Sequence, residues 1–231
     1  MRKPRIILAA ATFLMQAAFS ATLCRAENAP YSAMAPLDSY LIQDVNAEAA
    51  LARTAAPPSI SDQADVMVLG RDGYTTVAKG TNGFVCVVER GWGAGTDNSE
   101  FWNPKVRSPI CFNPASARSF LPIYLMKTKL VLAGKSKAQI VAAIDAAFDA
   151  KELPPLEAGA MCYMMSKQQY LSDEGMNWHP HLMFYVSGDA AKSWGADLPG
   201  SPVMSSNDPE ERATVFMVWA HKWSDGTPTA H

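Results

Sequence analysis

Two of the chain's four histidines, His179 and His181, stand two residues apart in the stretch NWHPHLMFYV. Pro180 disfavours the helical region for the residue before it, so His179 is expected to be extended. Alternate side chains of an extended chain share a face, which would aim both imidazoles to one side. That is an H-x-H metal grip, and it needs at least a third ligand. His221, at the end of a later apolar run, is one candidate; Asp173, Glu174 and Met183 are others. No carboxylate follows His181 at the three- or four-residue spacing of a cupin-type site. The competing reading is a polar strand start, with one imidazole bonded to backbone and the other solvated. On that reading His181 is the residue to test and His179 is its solvated neighbour.

Other reactive side chains are weaker candidates. Met161, Met164, Met165, Met176 and Met183 could offer thioethers to Cu(I). They do not repeat as M-x-x-M, and methionine is a routine core filler. Gly134-Lys135-Ser136 ends like a P-loop, but Lys129 stands where that motif needs glycine. There is no G-x-S-x-G elbow, and Cys162 lies in the apolar run GAMCYMM, where a thiol is expected to be inert. The acid pairs Asp173-Glu174 and Glu210-Glu211 fall in expected loops and read as solvated. Glu210-Glu211 also suits a helix start after Asp208-Pro209. The segment from Gly91 to Ser108 carries Trp92, Phe101, Trp102 and Arg107. Aromatic and Arg side chains on a long loop are raw material for a binding surface. The same rings could instead tuck beneath the loop as a satellite core.

The elements that must position these groups follow from periodicity. Ile42, Val45 and Ala49 recur at helical spacing, so a helix is expected over 39–54, capped by Asp38 or Ser39 and ended by Pro57-Pro58. Val66–Leu69, Tyr74–Lys79 and Phe84–Glu89, separated by Asp72-Gly73 and Asn82-Gly83, read as a three-stranded meander. Asn113-Pro114 is a cap followed by proline at the first helical position, and Pro122 should kink or split the apolar segment that follows. Ser136 and Gln139 form a capping box for the clearest helix, with Ile140, Ile144, Ala147 and Phe148 on one face. The apolar runs Gly159–Met165, His181–Ser187 and Thr214–Ala220 are too short for helices and read as central strands. The expected fold is therefore α+β: an antiparallel sheet, made of the N-terminal meander and the apolar C-terminal strands, packed with two to three helices.

The first 26 residues read as a secretory signal: Arg2, Lys3 and Arg5, an apolar run from Ile6 to Phe19, and small residues ending near Ala26. The run is too short to cross a bilayer, and Ala21-Thr22-Leu23 before Cys24 suits a lipidation signal poorly. Residues 27–60 would be an extension with one helix and 61–231 a single domain. Cleavage would leave 16 Lys and Arg against 22 Asp and Glu, a net charge of −6, which argues against a nucleic-acid surface. No later segment is long and apolar enough to span a membrane. An oxidising periplasmic or extracellular setting favours one disulfide among three remaining cysteines. Cys86 and Cys111 flank the polar Gly/Pro-rich loop and are paired; Cys162 is left as a buried thiol. Closing about 25 residues should stabilise by roughly 3 kcal/mol.

The run GTNGFVC from Gly80, the second cysteine in SPICF, and HPHLMFYV before the last strand ATVFMVWA resemble a group of uncharacterised exported bacterial proteins. These share G-[ST]-N-G-aromatic-x-C, a second Cys and Pro-His-[Leu/Ile]-Met. The resemblance implies no activity or cofactor. It supports the Cys86–Cys111 pairing, matches His181 and leaves His179 outside. The sequence thus points to an exported, non-catalytic binding or structural domain for a small molecule or protein. The alternative is a metal-dependent or small-molecule enzyme centred on His181, with His179 and His221 and with Cu or Zn as the metal.

Overall fold

The computed structural model describes residues 30–175 and 178–229. The signal segment with its cut near Ala26, Met176, Asn177 and His231 lie outside the described residues.

One eight-stranded sheet organises the chain: β1 Asp65–Gly70, β2 Gly73–Ala78, β3 Val85–Glu89, β4 Ser108–Phe112, β5 Met161–Met164, β6 His181–Ser187, β7 Val203–Asp208 and β8 Ala213–Trp219. Their spatial order is β2-β1-β3-β4-β5-β6-β8-β7. All pairs are antiparallel except β1 with β3. Among the described residues five α-helices accompany it: α1 Val45–Arg53, α2 Pro58–Ser61, α3 Pro114–Ser119, α4 Leu121–Leu132 and α5 Lys137–Asp149. The fold is α+β.

The first three strands are not a meander. Asn82-Gly83 does not turn β2 back on itself; the chain crosses to the far side of β1, and Asp65 faces Val85 in parallel register. The crossing is pinned to the start of β1. Gly80 N–H donates to the Asp65 carboxylate, Thr81 N–H to the Gln63 carbonyl, and the Asn82 amide to the Ile60 carbonyl. A Cβ on Gly80 would lie 2.0 Å from the Gln63 carbonyl oxygen, so only glycine permits this approach.

The helix expected over 39–54 is shorter. Asp44 caps it by accepting from Asn46 and Ala47 N–H, and α1 starts at Val45. Leu37–Ser39 forms a separate short 3-10 turn. Pro58 opens α2 at its first position. Pro122 likewise sits at the start of α4, splitting α3 from α4 at Phe120. The Ser136–Gln139 capping box is formed at α5.

Period-two alternation gives the sheet two buried faces. On one, Ala52, Ala55 and Ala56 pack against Val66, Cys86, Val88 and Cys111. Cys86 and Cys111 are direct partners across β3 and β4 and are disulfide-bonded; Cys162 is a buried free thiol. On the other face Ile123, Val131, Ile140 and Ile144 from α4 and α5 pack on Val87, Ile110 and Phe112. No described helix is long and apolar enough to cross a membrane.

Candidate functional site

His181 opens β6 and is buried, its backbone paired with Met164 and Trp219. Its Nδ1 lies 2.8 Å from the His179 carbonyl oxygen, and the Trp178 ring meets it edge-on at 4.7 Å. Burial lowers its pKa, which keeps the imidazole neutral at neutral pH. The His179 ring stacks on Trp219 at 4.5 Å. His221 is exposed beyond the end of β8, and its carbonyl accepts from Thr229. Among the described residues no three His, Cys, Asp or Glu side chains gather as a metal site requires.

Trp92 and Trp102 are core residues rather than a displayed face. Trp92 is fully buried, its indole N–H donating to Thr128 Oγ1 at 3.0 Å and its ring 5.1 Å from Tyr40. Trp102 packs with Phe101 edge-on at 4.6 Å. The Arg107 guanidinium donates to the Pro104, Val106 and Ser39 carbonyls, so it ties loops together. Burial and nearby Arg90 bring its pKa down to about 10.

One groove among the described residues lies on the α4–α5 face of the sheet, past the helices' cover. Cross-strand register builds its floor. Tyr185 faces Val215, which faces Ser206; Met183 faces Met217 in the next row. Phe120, at the α3–α4 junction, stacks on Tyr185 at 3.7 Å and 18°. One wall is the backbone from Gly93 to Asn98, the other the β7–β8 hairpin. The cavity measures about 510 Å³, within the range of small-molecule sites.

The hairpin explains how two acidic residues reach the groove. β7 lies inside the segment expected to be a loop, and Pro209–Arg212 turns it into β8 rather than starting a helix. Asp208 accepts from Glu211 N–H at 3.1 Å, and Arg212 takes φ of +52° to close the turn. Glu211 is therefore buried instead of solvated, and ion-pairs with Lys127 at 2.8 Å. Lys127 is itself fully buried on α4. Burial opposes its charge, but the surrounding carboxylates, Glu211 first, outweigh this and raise its pKa. Glu210 accepts from the Thr96 N–H and hydroxyl, joining the hairpin to the opposite wall.

Glu89, the last residue of β3, lines the same groove. It shares a face with Val85 and Val87, so alternation carries its carboxyl into the helix-covered side. It is 9% exposed, and among the described residues nothing hydrogen-bonds its side chain. Burial first, and the Glu211 carboxylate second, push its pKa up to about 8 against the pull of Lys127. Gly93 lies over it; a Cβ there would come 2.6 Å from Glu89 Oε2. Asp208 is raised to about 6, again mainly by burial. The lining holds five carboxyls (Glu89, Asp97, Asp208, Glu210 and Glu211) and no Lys or Arg.

Sequence reasoning passed over this site. Its clearest traces were Glu89 in step with Val85 and Val87, and Lys127 four residues from both Ile123 and Val131 on an apolar helix face. Searches of family models, curated proteins and solved structures find no match to the chain.

Proposed function

We propose that the chain is an exported binding domain that takes a small molecule in the groove between Gly93–Asn98 and the β6–β8–β7 floor. The observation that carries this reading is Glu89. Its carboxyl oxygens open on the groove and take no hydrogen bond from the described residues, which leaves them free for a ligand. A carboxyl nine-tenths buried, facing a cavity and unbonded among the described residues is poised for a group that enters from outside. The apolar floor and convergent polar rim have the usual composition of such sites. Export is supported by the Cys86–Cys111 disulfide, which suits an oxidising compartment, and by the character of the first 26 residues.

The test is methionine-methyl NMR against a fragment library. Binders should move Met183 and Met217, which line the groove, while Met67 on β1 and Met126 on α4 stay still. Binders that leave Met183 and Met217 unmoved would end this reading.

One observation favours a second reading, acid–base catalysis in the same groove: Glu89 and Asp208, at about 8 and about 6, bracket neutral pH. Turnover of a groove-bound compound, lost in Glu89→Gln, would select it over simple binding.

A further inference from the structure

Granting the groove as the binding site, we propose that its ligand is a compact primary or secondary ammonium carried on an apolar, aromatic-sized body. The lining decides the sign of the charge. Five carboxyls face the cavity with no cationic side chain among them, and Lys127 behind them is already committed to Glu211. An anion would meet repulsion from Asp97, Asp208 and Glu210, and a neutral body would leave those three carboxylates without a counter-charge.

Three further observations narrow the chemistry. A bare metal ion is disfavoured, since no three His, Cys, Asp or Glu side chains among the described residues gather as ligands. Moreover, much of the floor is carbon and thioether rather than oxygen: Phe120, Met183, Tyr185, Val215 and Met217. That floor suits an apolar body, and the stacked Phe120–Tyr185 pair adds ring surface that attracts a cation nearby. Finally, no described residue hydrogen-bonds the Glu89 carboxyl, whose oxygens open on the groove, so a ligand N–H can take that place. A quaternary ammonium has none to give. An ammonium donating to Glu89 and lying among Asp208, Glu210 and Asp97 would make charge-assisted bonds, the strong class.

The probes are benzylammonium, benzyl alcohol, benzoate, benzyltrimethylammonium and calcium chloride, titrated by calorimetry with Met183 and Met217 methyl shifts as the location readout. Benzylammonium should bind at these methyls about tenfold or more tightly than the alcohol or the quaternary analogue. Benzoate and calcium should not register there. Glu210→Gln with Asp208→Asn should cost benzylammonium about tenfold and leave benzyl alcohol unchanged. Because those two residues also shape the hairpin, Asp97→Asn on the exposed rim is the second variant, with a smaller loss in the same direction. Equal or tighter binding of the alcohol, benzoate, quaternary analogue or calcium at the same methyls would overturn the ammonium assignment and leave the groove intact as a site. If no probe moves Met183 or Met217, both the ammonium assignment and the groove fail.

Discussion

Glu89 has a measurable signature whether or not a ligand is present. A carboxyl whose pKa is raised by folding binds its proton more tightly in the folded chain. Its contribution to stability is full below its ordinary value of 4.5 and is lost as the pH rises towards 8. The groups that act on it are Glu211 on the hairpin and Lys127 on α4, which are paired with each other. Tyr124, Tyr74, Tyr185 and Cys162 also face it, all pushed upward by burial and so neutral throughout this range. Asp208 adds a slope of the same sign that ends near pH 6. His181, which burial lowers, adds the opposite slope around its ordinary 6.5, and the unfolded Cys162 thiol begins to ionise as the pH nears 9. The interval from about pH 7 to about pH 8 is therefore where the loss belongs chiefly to Glu89. Urea unfolding should show wild-type stability falling over that interval and Glu89→Gln nearly flat; parallel slopes would refute the assignment. Glu48 makes the complementary case. Its Oε1 accepts from Arg90 at 2.9 Å and from Leu69 N–H, with both charged side chains out of solvent. Glu48→Ala strands the Arg90 charge and should cost about 3–5 kcal/mol. A loss under about 1 kcal/mol in denaturant melts would show that the pair is dispensable.

At the scale of elements, the disulfide and the caps give independent checks. Cys86 and Cys111 face each other across β3 and β4 and enclose the loop that forms one wall of the groove. Replacing both with Ala should cost roughly 3 kcal/mol by denaturant melt, while Cys162 should resist thiol reagents until the chain unfolds. A cost near zero, or rapid labelling of folded Cys162, would contradict this picture. Ser136→Ala removes half of the α5 capping box and should cost about 1 kcal/mol. These elements were legible in the sequence because local rules act on them alone: a capping box, an Asn-Pro start, and an apolar run at His181–Ser187 that matches β6 to the residue. β7 was not legible, because Ser205, Ser206, Asn207 and Asp208 read as loop. Yet an edge strand is where polar residues are tolerated. β4 was hidden by Pro109, which sits beyond the short stretch, Cys111 and Phe112, where β5 pairs with it.

Across the whole molecule, the site depends on contacts far apart in sequence, and this explains why it was invisible beforehand. Glu89 and Glu211 are brought together only because β3 and the β7–β8 hairpin close on one face, with Lys127 reaching in from α4. The histidine pair His179 and His181 lies at the foot of β6 on the same sheet, engaged with Trp219 and Trp178. The parallel step between β1 and β3 was equally long-range, since Gly80 and Asn82 act through Gln63, Asp65 and Ile60 rather than as a hairpin turn. The central claim is that this groove receives a ligand at Glu89. A crystal structure of the protein soaked with benzylammonium tests it most directly. The expected result is the aromatic ring against Phe120 and Tyr185, with the ammonium within hydrogen-bond distance of Glu89 and its neighbouring carboxylates. A saturated crystal in which the ligand binds elsewhere and the groove holds only solvent would contradict the account.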